Sequence, residues 1–139
     1  MRRMVVTGGV IAALFLLGAS GAWVSPALIS SAWAGPWEDG MAAYNRGDYV
    51  PAIRLFRPLA EAGNPKAQNV IGVMYRKGQG VAKSSGRAFM WFSLASKRGD
   101  AKAKAELREV SRDMTQAELS QAREMMQACE ASDYRNCEY

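Results

Sequence analysis

Residues 63–99 decide the fold, and they read GNPKAQNVIGVMYRKGQGVAKSSGRAFMWFSLASKRG. Asn64 and Pro65 predict the start of a helix over 65–77, because Asn is a favoured N-cap and Pro costs little in the first turn. The residues expected to face a core recur at helical spacing and are Ala67, Val70, Ile71 and Met74. The stretch therefore opens with an amphipathic helix.

The second half of this stretch predicts another helix. Ser85 is expected to cap a helix over 86–98, and Gly99 is expected to end it. Its apolar side consists of Phe89, Phe92 and Ala95. The intervening segment 78–83 is rich in glycine, which adopts the positive φ angles of a loop at little cost. Two helices joined by such a loop form a helical hairpin.

The flanking sequence predicts more helices of the same kind. Asp48 is expected to cap a helix over 49–62, and Asp100 a helix over 101–112. Thr115 and Glu118 form a capping box that opens a last helix. The apolar residues at helical spacing are Ala52, Leu55, Phe56 and Leu59 before the central stretch, and Leu119, Ala122, Met126 and Cys129 after it. No segment alternates with a period of two, so the chain is predicted to be all-α.

The sequence also repeats itself. A spacing of 36 residues joins Gly63 with Gly99, Ala52 with Ala88, Phe56 with Phe92, and Ala67 with Ala103. A spacing of 31 residues joins Tyr44 with Tyr75 and Gly47 with Gly78, so the loop after Gly78 carries a five-residue insertion. Self-similarity at a fixed period predicts a tandem array of helical hairpins.

The central stretch resembles the Sel-one-like repeat of the tetratricopeptide-like superfamily. The resemblance rests on four runs, Gly63–Gln68, Ile71–Tyr75, Gly78–Val81 and Ala88–Phe92, and on Ala95 and Gly99. It implies a short right-handed α-solenoid of about three antiparallel hairpins, over residues 35–62, 63–99 and 100–139. In the third hairpin Arg108 stands where Gly72 would repeat, so that hairpin is interpreted as a degenerate cap.

The motif residues are interpreted as packing residues. Small side chains allow the two helices of a hairpin to approach closely, and aromatic rings fill the space between hairpins. The residues assigned to this role are Ala67, Gly72, Tyr75, Gly78, Gly80, Ala88, Phe92 and Gly99. A solenoid core explains the aromatic stripe better than a cofactor site does.

The first 34 residues have the pattern of an export signal. Met1–Met4 is basic, Val5–Leu17 carries no charge, and Ala32-Trp33-Ala34 fits the small-x-small motif read by a signal peptidase. We expect a signal peptide over residues 1–34, a mature domain over 35–139, and a periplasmic or extracellular location. The alternative is an uncleaved inner-membrane anchor over residues 5–24 that leaves the domain facing the periplasm.

The two cysteines are predicted to pair. Cys129 and Cys137 are the only cysteines in the chain, and an isolated pair in an oxidising compartment is most simply a disulfide. A redox-active pair usually has the C-x-x-C spacing, which this pair lacks. The placement also resembles that of secreted cysteine-rich relatives of the repeat family.

Composition argues against catalysis. The chain has no histidine, which excludes imidazole bases and imidazole metal ligands. Lys83, Ser84 and Ser85 have the residue types of a Ser–Lys nucleophile but lie on a loop without an evident oxyanion site. We therefore expect no catalytic residue, no metal and no cofactor. The weak net charge of residues 35–139 also argues against a nucleic-acid partner.

The first helix of each hairpin is expected to line a concave binding face. Asn45, Asn69, Arg76 and their neighbours could hold a carboxylate of a peptide partner. The full set assigned to this groove is Asn45, Arg46, Asn69, Val73, Arg76, Lys77 and Arg112. Ordinary solvated side chains are the alternative interpretation of these residues.

Charge is unevenly divided along the chain. Residues 64–104 hold nine Lys or Arg and one acid, whereas residues 105–139 hold four Lys or Arg and eight acids. This distribution favours an acidic partner and leaves self-association open. We expect an exported, non-catalytic protein–protein interaction module or scaffold; the alternatives are binding or hydrolysis of an envelope polymer, and a membrane-tethered assembly factor.

Overall fold

The computed structural model describes residues 35–135 and Cys137, and this part of the chain is all-α without a strand. The six helices are α1 Pro36–Arg46, α2 Tyr49–Glu61, α3 Pro65–Lys77, α4 Ser85–Lys97, α5 Ala101–Arg112 and α6 Gln116–Ala131. The signal or anchor expected over residues 1–34 lies outside the described residues. Within residues 35–135, none of the helices combines the length and apolar character needed to cross a bilayer.

Local capping sets three of the helix starts as predicted. The Asn64 side chain accepts hydrogen bonds from the backbone N–H groups of Lys66 at 2.9 Å and Ala67 at 3.2 Å, and α3 runs over the predicted range. Asp100 caps α5 by accepting from the Ala103 N–H at 2.8 Å. Thr115 opens α6 with the predicted capping box.

Two other predicted caps differ from the structure, one in its residue and one in its side-chain bond. Ser84, in place of Ser85, caps α4 by accepting from the Arg87 N–H at 3.3 Å, so the helix begins and ends one residue earlier than expected. Asp48 stands at the N-cap position of α2, but its side chain makes no capping bond. Its carboxylate accepts instead from the Nε–H of Arg46 at 3.0 Å, because this cation competes for the same oxygens.

Phenylalanine rings pack directly on glycine in the first two helix pairs. A Cβ at position 72 in α3 would lie 2.6 Å from Cε1 of Phe92 in α4. A Cβ at position 40 in α1 would lie 2.7 Å from Cε1 of Phe56 in α2. Both rings are fully buried, so each close approach lies at the centre of its hairpin.

The glycine-rich loop between α3 and α4 packs back on the first hairpin. Gly80 has a φ of +70°, and a Cβ there would lie 2.7 Å from the carbonyl carbon of Tyr49. The Tyr44 hydroxyl donates to Oε1 of Gln79 at 3.1 Å. Burial, with a smaller contribution from the neighbouring Tyr49, raises the pKa of Tyr44 above its ordinary value. The insertion therefore connects two successive hairpins.

One buried polar side chain joins the same two hairpins. Gln68 is completely buried, and its Nε2 donates to the backbone carbonyl of Ala60 at 3.0 Å. This carbonyl belongs to the last turn of α2, where intrahelical donors run out. The alanine–glutamine pair of the repeat motif thus stabilises the junction between α2 and α3.

The third helix pair is more open than the first two. Helix α6 packs mainly against α4 and makes only slight contact with α5. In the 36-residue spacing Arg108 of α5 takes the place of Gly72, and its side chain is exposed, so the close glycine–ring approach of the other two pairs does not recur here. A gap is left between α5 and α6 over the surface of α4.

The C-terminal segment is fixed to α4 and to the turn between α2 and α3. Cys129 and Cys137 form a disulfide, with their Cα atoms 4.5 Å apart. The guanidinium carbon of Arg98 lies 4.9 Å from the centre of the Tyr134 ring. The same guanidinium covers Gly63, since a Cβ there would lie 2.7 Å from a terminal nitrogen of Arg98. Arg98 therefore connects the junction of the first two hairpins to the last segment of the chain.

Candidate binding groove

A cavity lies across the first helices of the three helix pairs. It has a volume of about 550 Å³ and opens to solvent. Its lining consists of Trp37 and Met41 from α1, Lys66, Asn69 and Val70 from α3, and Gly99, Asp100, Ala101 and Lys102 around the start of α5. We call this cavity the three-helix groove. It lies on the first helices, which were expected from the sequence to line a binding face.

The floor of the three-helix groove is apolar. Trp37, Met41 and Val70 are each partly buried and pack against the core. The Trp37 ring is tilted by 56° against that of Phe56, with the ring centres 5.3 Å apart. A partly exposed tryptophan held by a buried ring offers apolar surface at a small entropic cost.

Two lysines flank this floor at equivalent positions. Lys66 is the second residue of α3 and Lys102 the second residue of α5, and both are exposed. Neither forms an ion pair with another residue within 35–135. The N-terminal ends of two helices add partial positive charge on the same side. Asp100 is the one acid among the lining residues, and its carboxylate accepts from the Ala103 N–H.

Asn69 supplies a polar atom that lacks a partner. Its Oδ1 is buried and accepts no hydrogen bond from the described residues. A buried carbonyl oxygen without a donor costs about 1–3 kcal/mol, and this oxygen is shielded from the groove by the atoms around it. The surface of the groove therefore combines apolar side chains with positive charge.

The three arginines predicted for the binding face are each paired with an acid. Arg76 contacts Oε2 of Glu106 at 2.7 Å, which joins α3 to α5. Arg76 was expected on an exposed surface. Its side chain is only about one-third exposed, because it pairs with Glu106 of the neighbouring helix α5. Arg46 pairs with Asp48 at 3.0 Å, and Arg112 pairs with Glu109 at 2.8 Å, both on the surface.

The other predicted site residues do not all line the same cavity. Asn69 lines the three-helix groove, whereas Val73 is half-buried against the core. Asn45 and Lys77 are exposed and do not line the groove. Sequence reasoning missed Trp37, Lys66 and Lys102, although the 36-residue spacing that pairs Gly63 with Gly99 also pairs the two lysines.

The lining of the three-helix groove includes one acidic residue. Two-carboxylate hydrolysis needs a pair of acids flanking the scissile bond. The groove has a single carboxylate, and Asp100 uses it to cap α5. Within residues 35–135 and Cys137, no three or more His, Cys, Asp or Glu residues cluster so that they could hold a metal ion.

Residues 65–100 match the Sel1 repeat family. This segment, about a quarter of the chain, comprises α3, the glycine-rich loop and α4. Sel1 repeats are generally protein-interaction modules, and the family is typically non-catalytic. The chain therefore contains one match to the Sel1 repeat, at residues 65–100, within an all-helical fold.

Proposed function

We propose that this protein is an exported, non-catalytic interaction module that binds an acidic, extended segment of a partner protein in the three-helix groove. The observation that carries the proposal is the arrangement of Lys66 and Lys102 beside an apolar floor. The finding that Sel1 repeats are generally protein-interaction modules supports it.

Each part of the groove favours a different part of such a ligand. Lys66 and Lys102 attract carboxylates, whose oxygens accept charge-assisted hydrogen bonds from ammonium groups. Trp37 and Met41 take up apolar side chains between the acidic ones.

Export is supported by the N-terminal pattern and by the disulfide. Disulfides persist in oxidising compartments and are rare in the cytosol. The basic start, uncharged stretch and small-x-small motif of residues 1–34 are typical of a secretory signal peptide. We infer a periplasmic or extracellular location, with an inner-membrane anchor over residues 5–24 as the alternative. N-terminal sequencing of the exported protein distinguishes these, since Met1 at the terminus contradicts cleavage.

Binding of defined peptides tests the proposed function. The probes are two fluorescent ten-residue peptides, one alternating Leu with Glu and the other alternating Leu with Lys. Fluorescence anisotropy should show binding of the acidic peptide and at least tenfold weaker binding of the basic one. Lys66→Ala combined with Lys102→Ala should weaken binding of the acidic peptide at least tenfold, because each charged hydrogen bond contributes about 1.5–3 kcal/mol.

Lys104→Ala is the matched control. Lys104 is an exposed lysine of α5 that does not line the groove, so its replacement changes the net charge without removing a groove contact. Binding should stay within twofold of wild type. An equal loss of binding in Lys104→Ala, or equal affinity for the two peptides, contradicts the proposal.

A further inference from the structure

A second cavity lies in the gap of the open third helix pair. It has a volume of about 310 Å³. Its lining comes from α4, α5 and α6 and consists of Phe89, Ser93, Ser96, Lys97, Leu107, Arg123, Met126 and Gln127. We call it the terminal cleft. It shares no lining residue with the three-helix groove, so it is a separate site.

The terminal cleft has an apolar interior of ordinary ligand-binding size. Phe89 of α4 is buried, while Leu107 of α5 and Met126 of α6 are each half-buried against the core. Small-molecule pockets are usually mostly apolar, with volumes of about 300–1,000 Å³ and a few polar groups that orient the ligand. The cleft lies at the lower end of this range, which limits its occupant to a small molecule.

Ser93 provides a buried hydroxyl inside this cavity. The residue is only 7% exposed, and its hydroxyl makes no hydrogen bond with any residue of the described ranges. Most serines at such a position in a helix bond to a carbonyl one turn earlier, as the Ser120 hydroxyl does with the Gln116 carbonyl in α6. The Ser93 hydroxyl lines the cavity, so it is available to hydrogen-bond a molecule that occupies it.

Charge at the cleft favours an anion. Arg123 of α6 lines it and forms no ion pair within residues 35–135. Lys97 is already neutralised, because its ammonium contacts both carboxylate oxygens of Glu130, at 2.8 and 2.9 Å. The lining includes no acidic residue. A single uncompensated guanidinium therefore remains beside the unsatisfied hydroxyl, and a carboxylate would complement both.

We propose that the terminal cleft binds a small amphiphilic carboxylate, with a hydrocarbon body of about six to ten carbons among Phe89, Leu107 and Met126 and a head group held by Arg123 and Ser93. The body fits the apolar interior, and the single negative charge matches the single uncompensated cation. This site is independent of the proposed function, because no residue of the three-helix groove takes part.

A series of straight-chain carboxylates tests the proposal. Isothermal titration of the full domain with butanoate, hexanoate and octanoate should show affinity rising about fourfold for each buried methylene. Octanol and octylamine, which share the octyl body but lack the carboxylate, should bind at least tenfold more weakly than octanoate. Affinity that does not depend on chain length, or equal binding of octylamine, overturns the proposal.

Amino-acid substitutions test the charged part and the apolar part of the cleft separately. Arg123→Gln should weaken octanoate at least tenfold and leave octanol unchanged, whereas Met126→Trp should fill the cleft and abolish binding of both. Arg108→Gln, in an exposed arginine of α5 outside the cleft, is the matched control and should bind octanoate as the wild type does.

The position of the ligand has to be checked as well as its affinity. In a methyl-labelled protein, the Met126 methyl signal should shift on titration with octanoate, while that of Met41 in the three-helix groove should stay in place. Thermal unfolding of each variant confirms that it is folded. Shifts at Met41 without shifts at Met126, or undiminished binding by folded Arg123→Gln, contradict the assignment.

Discussion

The ring of Phe92 rests on the backbone of Gly72, so closely that a Cβ at position 72 would lie 2.6 Å from the ring. The same relationship recurs in the first hairpin between Phe56 and Gly40. Real Cβ atoms essentially never approach a neighbour this closely, so glycine is needed for the two helices of each pair to meet at this distance. In both hairpins, a glycine on one helix faces a phenylalanine ring on the other, and this pairing allows a short distance between the two helices.

Gly72→Ala should destabilise the domain. Overpacking a filled core costs about 1–3 kcal/mol, which exceeds the gain of up to about 1 kcal/mol that alanine brings inside a helix. Urea unfolding followed by circular dichroism measures the difference. Gly86→Ala is the control, because a Cβ there meets only the Met125 sulfur at an ordinary 3.9 Å. Equal stability of the two variants contradicts the packing role of Gly72.

Removal of the disulfide should loosen mainly the C-terminal segment. Replacing Cys129 and Cys137 together by alanine should cost about 2–3 kcal/mol on the chain-entropy argument for a short loop. Hydrogen exchange should accelerate after residue 129 and change little around Phe56 and Phe92. The exported wild-type protein should gain two hydrogens in mass on reduction. Free thiols in protein alkylated without reductant would be evidence against the bridge.

The ion pair between Arg76 and Glu106 should have a measurable coupling energy. Both side chains are about one-third exposed or less, so solvent screens the pair less than it screens fully exposed ones. A double-mutant cycle of Arg76→Ala and Glu106→Ala should give about 0.5–1 kcal/mol at low salt, and less at 1 M salt. Glu109→Ala with Arg112→Ala provides an exposed reference pair on α5. Coupling of Arg76 with Glu106 no larger than in this reference pair contradicts the structural role.

Acid should weaken the start of α6. Hydrogen bonds to the Glu118 carboxylate, first from the Thr115 backbone N–H and then from its hydroxyl, lower the pKa of Glu118. A carboxyl whose pKa is lowered on folding stabilises the fold above its unfolded pKa of about 4.3, and this stability is lost as the pH falls through the folded value. Glu118→Gln should therefore be less stable than wild type at pH 7, with a smaller difference at pH 3. A constant difference in urea midpoint across this pH range would exclude the mechanism.

Local rules predicted the helices well, because the deciding contacts lie within a few residues. Asn64 followed by Pro65 fixed the start of α3, and both ends of that helix were predicted correctly. Which of the two adjacent serines, Ser84 or Ser85, becomes the N-cap depends on the path of the preceding loop. The sequence does not reveal that path. Asp48 was misjudged because Arg46, two residues away, attracts the same carboxylate.

The residues of the groove were harder to predict from the sequence than the helices were. Asn69 was predicted to lie on the outward side of a first helix, and it lines the groove. Arg76 was interpreted as exposed, because its partner Glu106 belongs to a helix thirty residues further along the chain. Lys66 and Lys102 were missed because the position of the cavity along the helices depends on how three helices pack, which local patterns do not show.

Arg98 affects how this helical array unfolds. In an ideal helical array each repeat contacts only its neighbours, so the ends unravel first and independently of the middle. Here the guanidinium lies between Gly63 and Tyr134, and the disulfide holds the segment that carries Tyr134. The last helix cannot peel away without releasing a contact at the junction of the first two hairpins. This contact couples the C-terminal segment to the first two hairpins, which are not its neighbours in the array.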